Sequence, residues 1–199
     1  MTTFNSLNRL VSRTLATIAV IAIINPAVGD EALQTVDDFS DSQRNSLGIE
    51  RQFIDDTTAG GNTAVHYSIE DGILVARGEI APPRGQPGWA SAVLLLDPQG
   101  LPINVSKFQG VRLLVRVNKG NLSISAISPE VTNFDYHAAP IALQADGQFH
   151  EVKIPFASMK RAWSEQTPLN TETISSLSMV AFDVRRNAFD FEVDEVSFY

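Results

Sequence analysis

Polar and apolar residues alternate with a period of two along most of the sequence beyond Asp30. The segment GVRLLVRVN at 110–118 shows this pattern, with Val111, Leu113, Val115 and Val117 at every second position. Because successive side chains of a strand point to opposite faces, the pattern predicts a strand with one buried face. The segment NLSISAIS follows after a Lys-Gly turn and alternates in the same way. We therefore predict that the two strands pair as a β-hairpin.

The same alternation recurs in further segments that are separated by turn-rich sequence. They are TAVHYSI, GILVARGEI, WASAVLLL, FDYHAA, QFHEVKIPF, LSMVAFDV and FDFEVDEVSFY. About ten short strands at this spacing are typical of an all-β sandwich or barrel. The segment SEQTPLNTETISS has a proline and no apolar stripe, so we expect it to be mostly loop. We predict one all-β domain over residues 30–199.

The last predicted strand changes its apolar phase. Phe189, Phe191 and Val193 share one parity, whereas Val196 and Phe198 have the other. Either a β-bulge at Asp194-Glu195 keeps all five on the buried side, or the strand changes its buried face. If the chain ends meet, Asp194 and Asp37 could also supply oxygen ligands to a structural calcium ion, but no spaced calcium loop is present. A solvated acidic edge is the alternative, and we predict no cofactor and no metal.

The first 29 residues have the order of a secretory signal peptide. Arg9 and Arg13 precede the apolar run Leu15–Ile24, which is followed by an Asn-Pro breaker and small residues up to Gly29. The run is only about half as long as the ~20 residues that span a bilayer. We therefore predict cleavage after Gly29 and a periplasmic or secreted protein with no membrane anchor. A mitochondrial transit peptide is the alternative.

The charge of the chain excludes two classes of partner. Removal of the signal leaves thirteen cations against twenty-three acids, a net charge of −10. Nucleic acids and anionic lipids both require a basic surface, so we expect neither as a partner. The chain has no cysteine, which excludes disulfides and thiolate chemistry. We expect a monomer.

The segment DGQFHEVKIPF carries the most specific signal in the sequence. Its Gly147, Phe149, Ile154, Pro155 and Phe156 occupy positions typical of a known family, as do the strand segments before and after it in their order. The mature chain resembles the complex I (NADH:ubiquinone oxidoreductase) intermediate-associated proteins, whose domain is a galactose-binding-like jelly-roll β-sandwich. The resemblance implies a noncatalytic binding or assembly-factor module that binds a protein client.

A carbohydrate-binding module is the alternative function. Six polar residues lie opposite the main apolar positions of their strands, namely Arg112, Arg116, Ser123, Ser125, Asp135 and His137. If residues 110–139 form a meander, these side chains share one sheet face that could hydrogen-bond sugar hydroxyls. A solvated face in which Arg116 pairs with Asp135 is the competing interpretation. A concave groove with an exposed aromatic residue would favour sugars, and a flat, ion-paired face would count against them.

The segment KIPFASMKRAW contains a strand end and a candidate contact site. We predict that Pro155 is an outward residue at the end of an edge strand, where a missing N–H donor is tolerated. Trp163, with Lys160 and Arg161, follows in a stretch that departs from the family pattern. We propose it as a ligand contact, because loops carry function, with a tryptophan that caps the sandwich edge as the alternative.

The sequence gives little support for catalysis. His66, His137 and His150 lie on three different predicted strands, and the sequence has no G-x-S-x-G motif. Acidic pairs could form the two carboxylates of a glycoside hydrolase only if they came together from separate strands. We therefore predict no catalytic residues, and a hydrolase is the least favoured function.

Overall fold

Twelve β-strands and two single-turn 3-10 helices make up the regular structure of Met1 and residues 34–199, the part of the chain that the computed structural model describes. The strands are β1 (Gln34–Asp37), β2 (Gln52–Asp55), β3 (Ala64–Glu70), β4 (Ile73–Ile80), β5 (Gly88–Leu95), β6 (Gly110–Lys119), β7 (Asn121–Ile127), β8 (His137–Ile141), β9 (His150–Pro155), β10 (Lys160–Arg161), β11 (Ser176–Asp183) and β12 (Asn187–Phe198). The 3-10 helices are Asp56–Ala59 and Phe156–Ser158. The predicted signal peptide lies outside the described residues, apart from Met1. Over the described residues, no helix has the length and apolar character needed to cross a membrane.

The strands form two antiparallel sheets. Sheet I has the order β3-β4-β12-β6-β9, and β1 pairs with the end of β12 that extends beyond β4. Sheet II has the order β10-β8-β7-β11-β5-β2. One apolar cluster includes the inward residues of both sheets, so the sheets enclose a common core. The predicted all-β jelly-roll sandwich is confirmed.

The core is built from alternate positions of the central strands, as the sequence pattern predicts. In sheet I, β6 contributes Val111, Leu113, Val115 and Val117, all of them buried. In sheet II, β7 contributes Leu122, Ile124 and Ala126, and β11 contributes Leu177 and Met179. Burial of one large aliphatic side chain stabilises the folded state by about 1.5–3 kcal/mol. Because the inward positions supply this core, the outward positions of the same strands are free to carry other functions.

The predicted hairpin of β6 and β7 is wrong. β6 pairs with β12 and β9, whereas β7 pairs with β11 and β8 in the other sheet. Gly120, with a φ of 82°, makes the turn by which the chain passes from sheet I to sheet II. Each strand still buries one face, because the two face the core from opposite sides. Alternation indicates that a strand has a buried face, but it does not identify the strand's neighbour.

Of the two explanations for the phase change of β12, the structure shows the bulge. Val193 pairs with Val115, and Glu195 pairs with the adjacent Leu114, which leaves Asp194 as the extra residue. The bulge changes the parity of β12, so that Val196 lies in the core. All five apolar residues of this strand therefore contribute to one core.

The carboxylate of Asp37 is paired with a buried arginine. Asp37 lies on β1 beside the end of β12, and its two carboxylate oxygens accept hydrogen bonds from Arg51 at 2.6 and 2.8 Å. Both side chains are almost fully buried. The calcium site considered near Asp37 and Asp194 is therefore not formed, and the described residues contain no group of three or more metal-ligating side chains.

Pro155 is the last residue of β9, at the edge of sheet I. Its side chain is exposed, while Ile154 and Phe156 on either side are buried in the core. Because β9 is an edge strand, the absent N–H costs little there. The structural role predicted for this part of the family motif is confirmed.

Candidate functional site

The predicted polar face is divided between the two sheets. Arg112 and Arg116 lie on the outer side of β6 in sheet I. Asp135 and His137 lie immediately before and at the start of β8 in sheet II. The prediction of one shared face is wrong, because β6 and β7 do not form the hairpin on which it depended.

Both arginines are paired with carboxylates. Arg112 donates to Glu151 at 2.7 Å and to Glu195 at 2.9 Å, and Arg116 donates to Glu192 instead of the predicted aspartate. Burial would lower the pKa of Arg112, but the hydrogen bonds and charges of these two glutamates raise it. Because its arginines are ion-paired, this face of sheet I argues against sugar binding.

His137 is buried on the core side of sheet II. Only 2% of its surface is exposed, and it pairs across the ladder with Ala126, a core residue. Its Nε2 lies 2.8 Å from the carbonyl oxygen of Thr167, so this nitrogen carries the proton and donates. His137 therefore holds the loop after β10 against the sandwich, and its ring is too buried to contact a ligand.

Asp135 is buried beneath the loop that carries Trp163. Its carboxylate accepts four hydrogen bonds, from the backbone N–H groups of Tyr136 (2.8 Å), Ala162 (3.0 Å) and Ser164 (2.9 Å) and from Nε of Arg161 (2.9 Å). Two of these N–H groups flank Trp163 in the chain. One carboxylate thus fixes the backbone on both sides of the tryptophan.

The charge of Asp135 is stabilised in this position. Burial alone would raise the pKa of Asp135, but the hydrogen bonds from Ser164, Tyr136 and Arg161 outweigh that effect and hold the pKa well below its usual range. Arg161 is also held by Asn133 Oδ1 at 2.9 Å. Asp135 is therefore a structural anchor, not the ligand contact that the sequence suggested.

The outer face of sheet II forms the floor of an open groove of about 830 Å³. The floor consists of outward positions on β5, β7 and β11, namely Ser91, Val93, Leu95, Ser125, Ile127, Ser176, Ser178 and Val180. The strand registers set them side by side, so that Ser178 lies between Ser125 and Val93. Because serine is small, these positions leave space above the sheet that larger side chains would fill.

One side of the groove is an aromatic wall formed by Phe134, Tyr136 and Trp163. Trp163 is 61% exposed and packs edge-on against Tyr136, with ring centroids 5.3 Å apart. Phe134 is 94% exposed and has a φ of 62°, a left-handed conformation that is unfavourable for a bulky side chain. Strained residues of this kind cluster at functional sites. The aromatic wall therefore exposes rings to solvent at positions where packing of the fold does not require them.

The other side of the groove is lined by Gln86, Pro87 and Trp89, with Gln52 and Ile54 on β2. Trp89 is positioned by a second buried aspartate, since Asp56 accepts a hydrogen bond from its backbone N–H at 3.2 Å. Asp56 also accepts from the N–H and hydroxyl of Thr63. Each of the two tryptophans is therefore held by a carboxylate beneath the surface.

The groove is electrically neutral. Of the described residues, none that lines it is charged, although the chain as a whole carries a net charge of −8. The hydroxyl groups of Ser91, Ser176 and Ser178 are on its floor, and these serines are at least 95% buried. In the described part of the chain, these three hydroxyls have no hydrogen-bond partner. The site thus combines aromatic surface with unused polar groups, as ligand pockets commonly do.

Of the predicted residues, Trp163 lines the groove, and Ser125 of the predicted polar face lies on its floor. Trp163 is 61% exposed, and it follows the edge strand β10. Arg161 pairs with Asp135, and Lys160 donates to the carbonyl oxygen of Ala157. Ser91, Ser176 and Ser178 were missed, because a serine in an alternating strand is simply polar until the strand pairing shows that several are adjacent.

A family model matches most of the chain. The model for complex I intermediate-associated protein 30 matches residues 38–193. The comparison of the sequence with curated proteins gave no match. The resemblance inferred from the strand order and the KIPF motif is therefore confirmed over nearly all of the described residues.

The fold is similar to those of solved carbohydrate-binding proteins. The family 11 carbohydrate-binding module of the cellulosomal cellulase Lic26A-Cel5E of Clostridium thermocellum has a TM-score of 0.60 and 14% identity, covering 84% of this chain and 94% of the module. A second structure, of a family 11 module from Clostridium thermocellum in complex with a beta-1,3-1,4-mixed-linked tetrasaccharide, has a TM-score of 0.58 and 14% identity, covering 83% and 94%. The agarase AgWH50C has a TM-score of 0.53 and 11% identity over 82% of this chain and 24% of the agarase. At these identities the likeness shows the fold.

Proposed function

Because the chain belongs to the complex I intermediate-associated protein 30 family, we propose that it is a binding module, and that its ligand is a carbohydrate held in the groove of sheet II. The observation that carries this proposal is the aromatic wall beside a neutral, serine-lined floor. The rings of Trp163 and Phe134 offer flat apolar surface to the apolar faces of sugar rings. The floor hydroxyls and the two glutamine side chains offer donors and acceptors to sugar hydroxyls.

The similarity to carbohydrate-binding modules supports the proposal independently of the lining. One of the similar structures contains a tetrasaccharide, and the agarase contains a domain of the same fold. Fold alone does not assign a ligand, so the argument depends on the residues of the groove.

Binding to a panel of immobilised polysaccharides tests the proposal. We expect Trp163→Ala to weaken binding at least about tenfold, equivalent to ~1.4 kcal/mol, because it removes the most exposed indole surface of the groove. Leu101→Ala is the matched control, since Leu101 is 55% exposed but lies outside the groove. If no polysaccharide binds, or if both variants bind like the unmutated chain, the groove is not a carbohydrate site.

A protein client is the second candidate, and family membership favours it. An exposed aromatic wall can also anchor a protein partner, since tryptophan and tyrosine are enriched in binding hot spots. A pull-down with the mature chain, run beside the polysaccharide panel, separates the candidates. A protein that binds directly as a purified component, and is lost with Trp163→Ala while all polysaccharides fail, would establish the client function.

We further propose that the module is noncatalytic. A glycoside hydrolase needs two carboxyl groups at the scissile bond, and among the described residues that line the groove there is none. We expect no turnover of chromogenic glycosides or esters. Hydrolysis that disappears with Trp163→Ala would place a catalytic site in the groove and contradict this proposal.

Export and the monomeric state are also proposed, on the basis of the sequence. The apolar run Leu15–Ile24 and the small residues before Asp30 support a cleaved signal. Mass spectrometry of the protein from its native host should find a mature chain that begins at Asp30. Light scattering of that chain should give the mass of one copy.

A further inference from the structure

The only two tryptophans of the chain lie at opposite corners of the groove. Trp89 is near the start of β5, where it pairs with Phe182 of β11. Trp163 follows β10, which pairs with β8 at the opposite edge of the floor. The two rings therefore mark two ends of one surface.

The strand registers give the size of that surface. Between the row of Trp89 and the row of Leu95, β5 advances six residues, or about 20 Å at ~3.3 Å per residue. From β5 through β11 and β7 to β8 there are three strand spacings, or about 14 Å at ~4.8 Å each. A single sugar ring is smaller than either dimension. A ligand that fills the groove must therefore be a chain of sugar units.

The residues that line the groove between Trp89 and Trp163 determine which charge the sugar chain can carry. Anionic sugars are normally bound by arginine or lysine, and among the described residues neither type lines the groove. The net negative charge of the protein would also repel them. By contrast, the three floor serines without partners can each donate to and accept from a neutral hydroxyl.

We infer that the groove takes a neutral oligosaccharide chain long enough to contact Trp89 and Trp163 at the same time. This inference rests on the proposed carbohydrate function and adds the charge class and the length of the ligand. It also assigns a binding role to Trp89.

The two tryptophans provide the test, because each can be made the only indole fluorophore. Trp89→Phe leaves the emission of Trp163, and Trp163→Phe leaves that of Trp89. Each variant is titrated with a length series of neutral oligosaccharides, from the monosaccharide to the hexasaccharide, prepared from mixed-linked β-glucan, xylan and agarose. Polygalacturonate and alginate serve as anionic probes. In the unmutated chain, the two indole N–H signals in NMR spectra report the same contacts without substitution.

We expect short neutral sugars to perturb one indole or neither, and longer ones to perturb both. Affinity should rise at least about tenfold at the length at which the second indole responds. If neutral oligosaccharides of every length bind but perturb one indole only, the spanning inference is wrong while the proposed function stands. If the anionic polymers bind more tightly, the inferred charge class is wrong. If no glycan binds in any arm, the proposed function fails and this inference fails with it.

Discussion

Asp135 should control the order of the Trp163 loop, and Asp135→Asn tests this. Asparagine keeps one carbonyl oxygen but replaces the second carboxylate oxygen with an NH2 group. In the structure each carboxylate oxygen accepts two hydrogen bonds, so the NH2 group would face two donors whichever way the amide is turned. Two hydrogen bonds are lost, and the guanidinium of Arg161 loses its charged partner.

The expected cost follows from these contacts. Hydrogen bonds to charged groups are worth about 1.5–3 kcal/mol each, and breaking a buried ion pair costs about 3–5 kcal/mol. Arg161 keeps bonds to Asn133 and Thr167, so we place the local cost of Asp135→Asn at about 3–5 kcal/mol. Each ~1.4 kcal/mol is a factor of ten, so local opening of the loop should become about a hundredfold to a few thousandfold more frequent.

Amide hydrogen exchange measures that opening directly. The N–H groups of Ala162 and Ser164 donate to Asp135. Their protection against exchange should therefore fall about a hundredfold to a few thousandfold, unless global unfolding limits exchange first. With Trp89→Phe in the background, the emission anisotropy of Trp163 should fall as its ring gains freedom. Both readouts are independent of any ligand.

Asp194→Asn is the matched control for this prediction. It makes the same chemical change at the bulge of β12, on a carboxylate with no hydrogen bond to any other described residue. We expect unchanged protection of the loop amides in this variant. If Asp135→Asn also leaves the protection of Ala162 and Ser164 within about threefold, the carboxylate does not fix the loop and our reasoning about its role is refuted.

Two further predictions concern stability. The folded-state pKa of Asp135 is lowered, so its stabilisation is present above the unfolded pKa of ~3.9 and is lost as the pH falls below it. The melting temperature of the unmutated chain should therefore fall more steeply between about pH 5 and pH 2 than that of Asp135→Asn, and parallel curves would contradict this. Asp37→Asn should cost about 3–5 kcal/mol in urea unfolding, because it leaves Arg51 buried without its charged partner. Glu79→Gln, which breaks the exposed pair with Arg186, should cost at most about 1 kcal/mol, and equal effects would show that burial does not matter here.

The sequence pattern predicts the burial of side chains in this fold better than the pairing of its strands. The period of two places Leu113 and Ile124 in the core, and the phase change of β12 locates the bulge at Asp194. These features depend on local geometry, since side chains of a strand alternate whichever strand lies next to it. Pairing depends on contacts between distant segments, such as β12 with β6, and so the assumption that neighbours in sequence pair failed at Gly120.

The error in strand pairing also explains why the predicted Arg116–Asp135 pair was wrong and why the groove was not predicted. Arg116 and Asp135 are near in sequence and suit an ion pair, but they belong to different sheets. Their true partners, Glu192 and Arg161, are 76 and 26 residues away in the chain. Trp163 was found because it is an aromatic residue in a loop, which is a local signal. The groove was not found, because its floor exists only once β7, β11 and β5 are adjacent.

The two buried aspartates would let the groove take the proposed ligand without large rearrangement. Asp135 holds the chain around Trp163, and Asp56 holds the backbone of Trp89. Ordering a loop on binding typically consumes part of the interaction energy, about 0.5–1.5 kcal/mol for each side chain that is immobilised. Because these anchors lie beneath the lining, the rings are oriented before a ligand arrives. Substitutions of the anchors should therefore weaken binding by loosening the rings, whereas substitutions of the floor serines should change which ligand is bound.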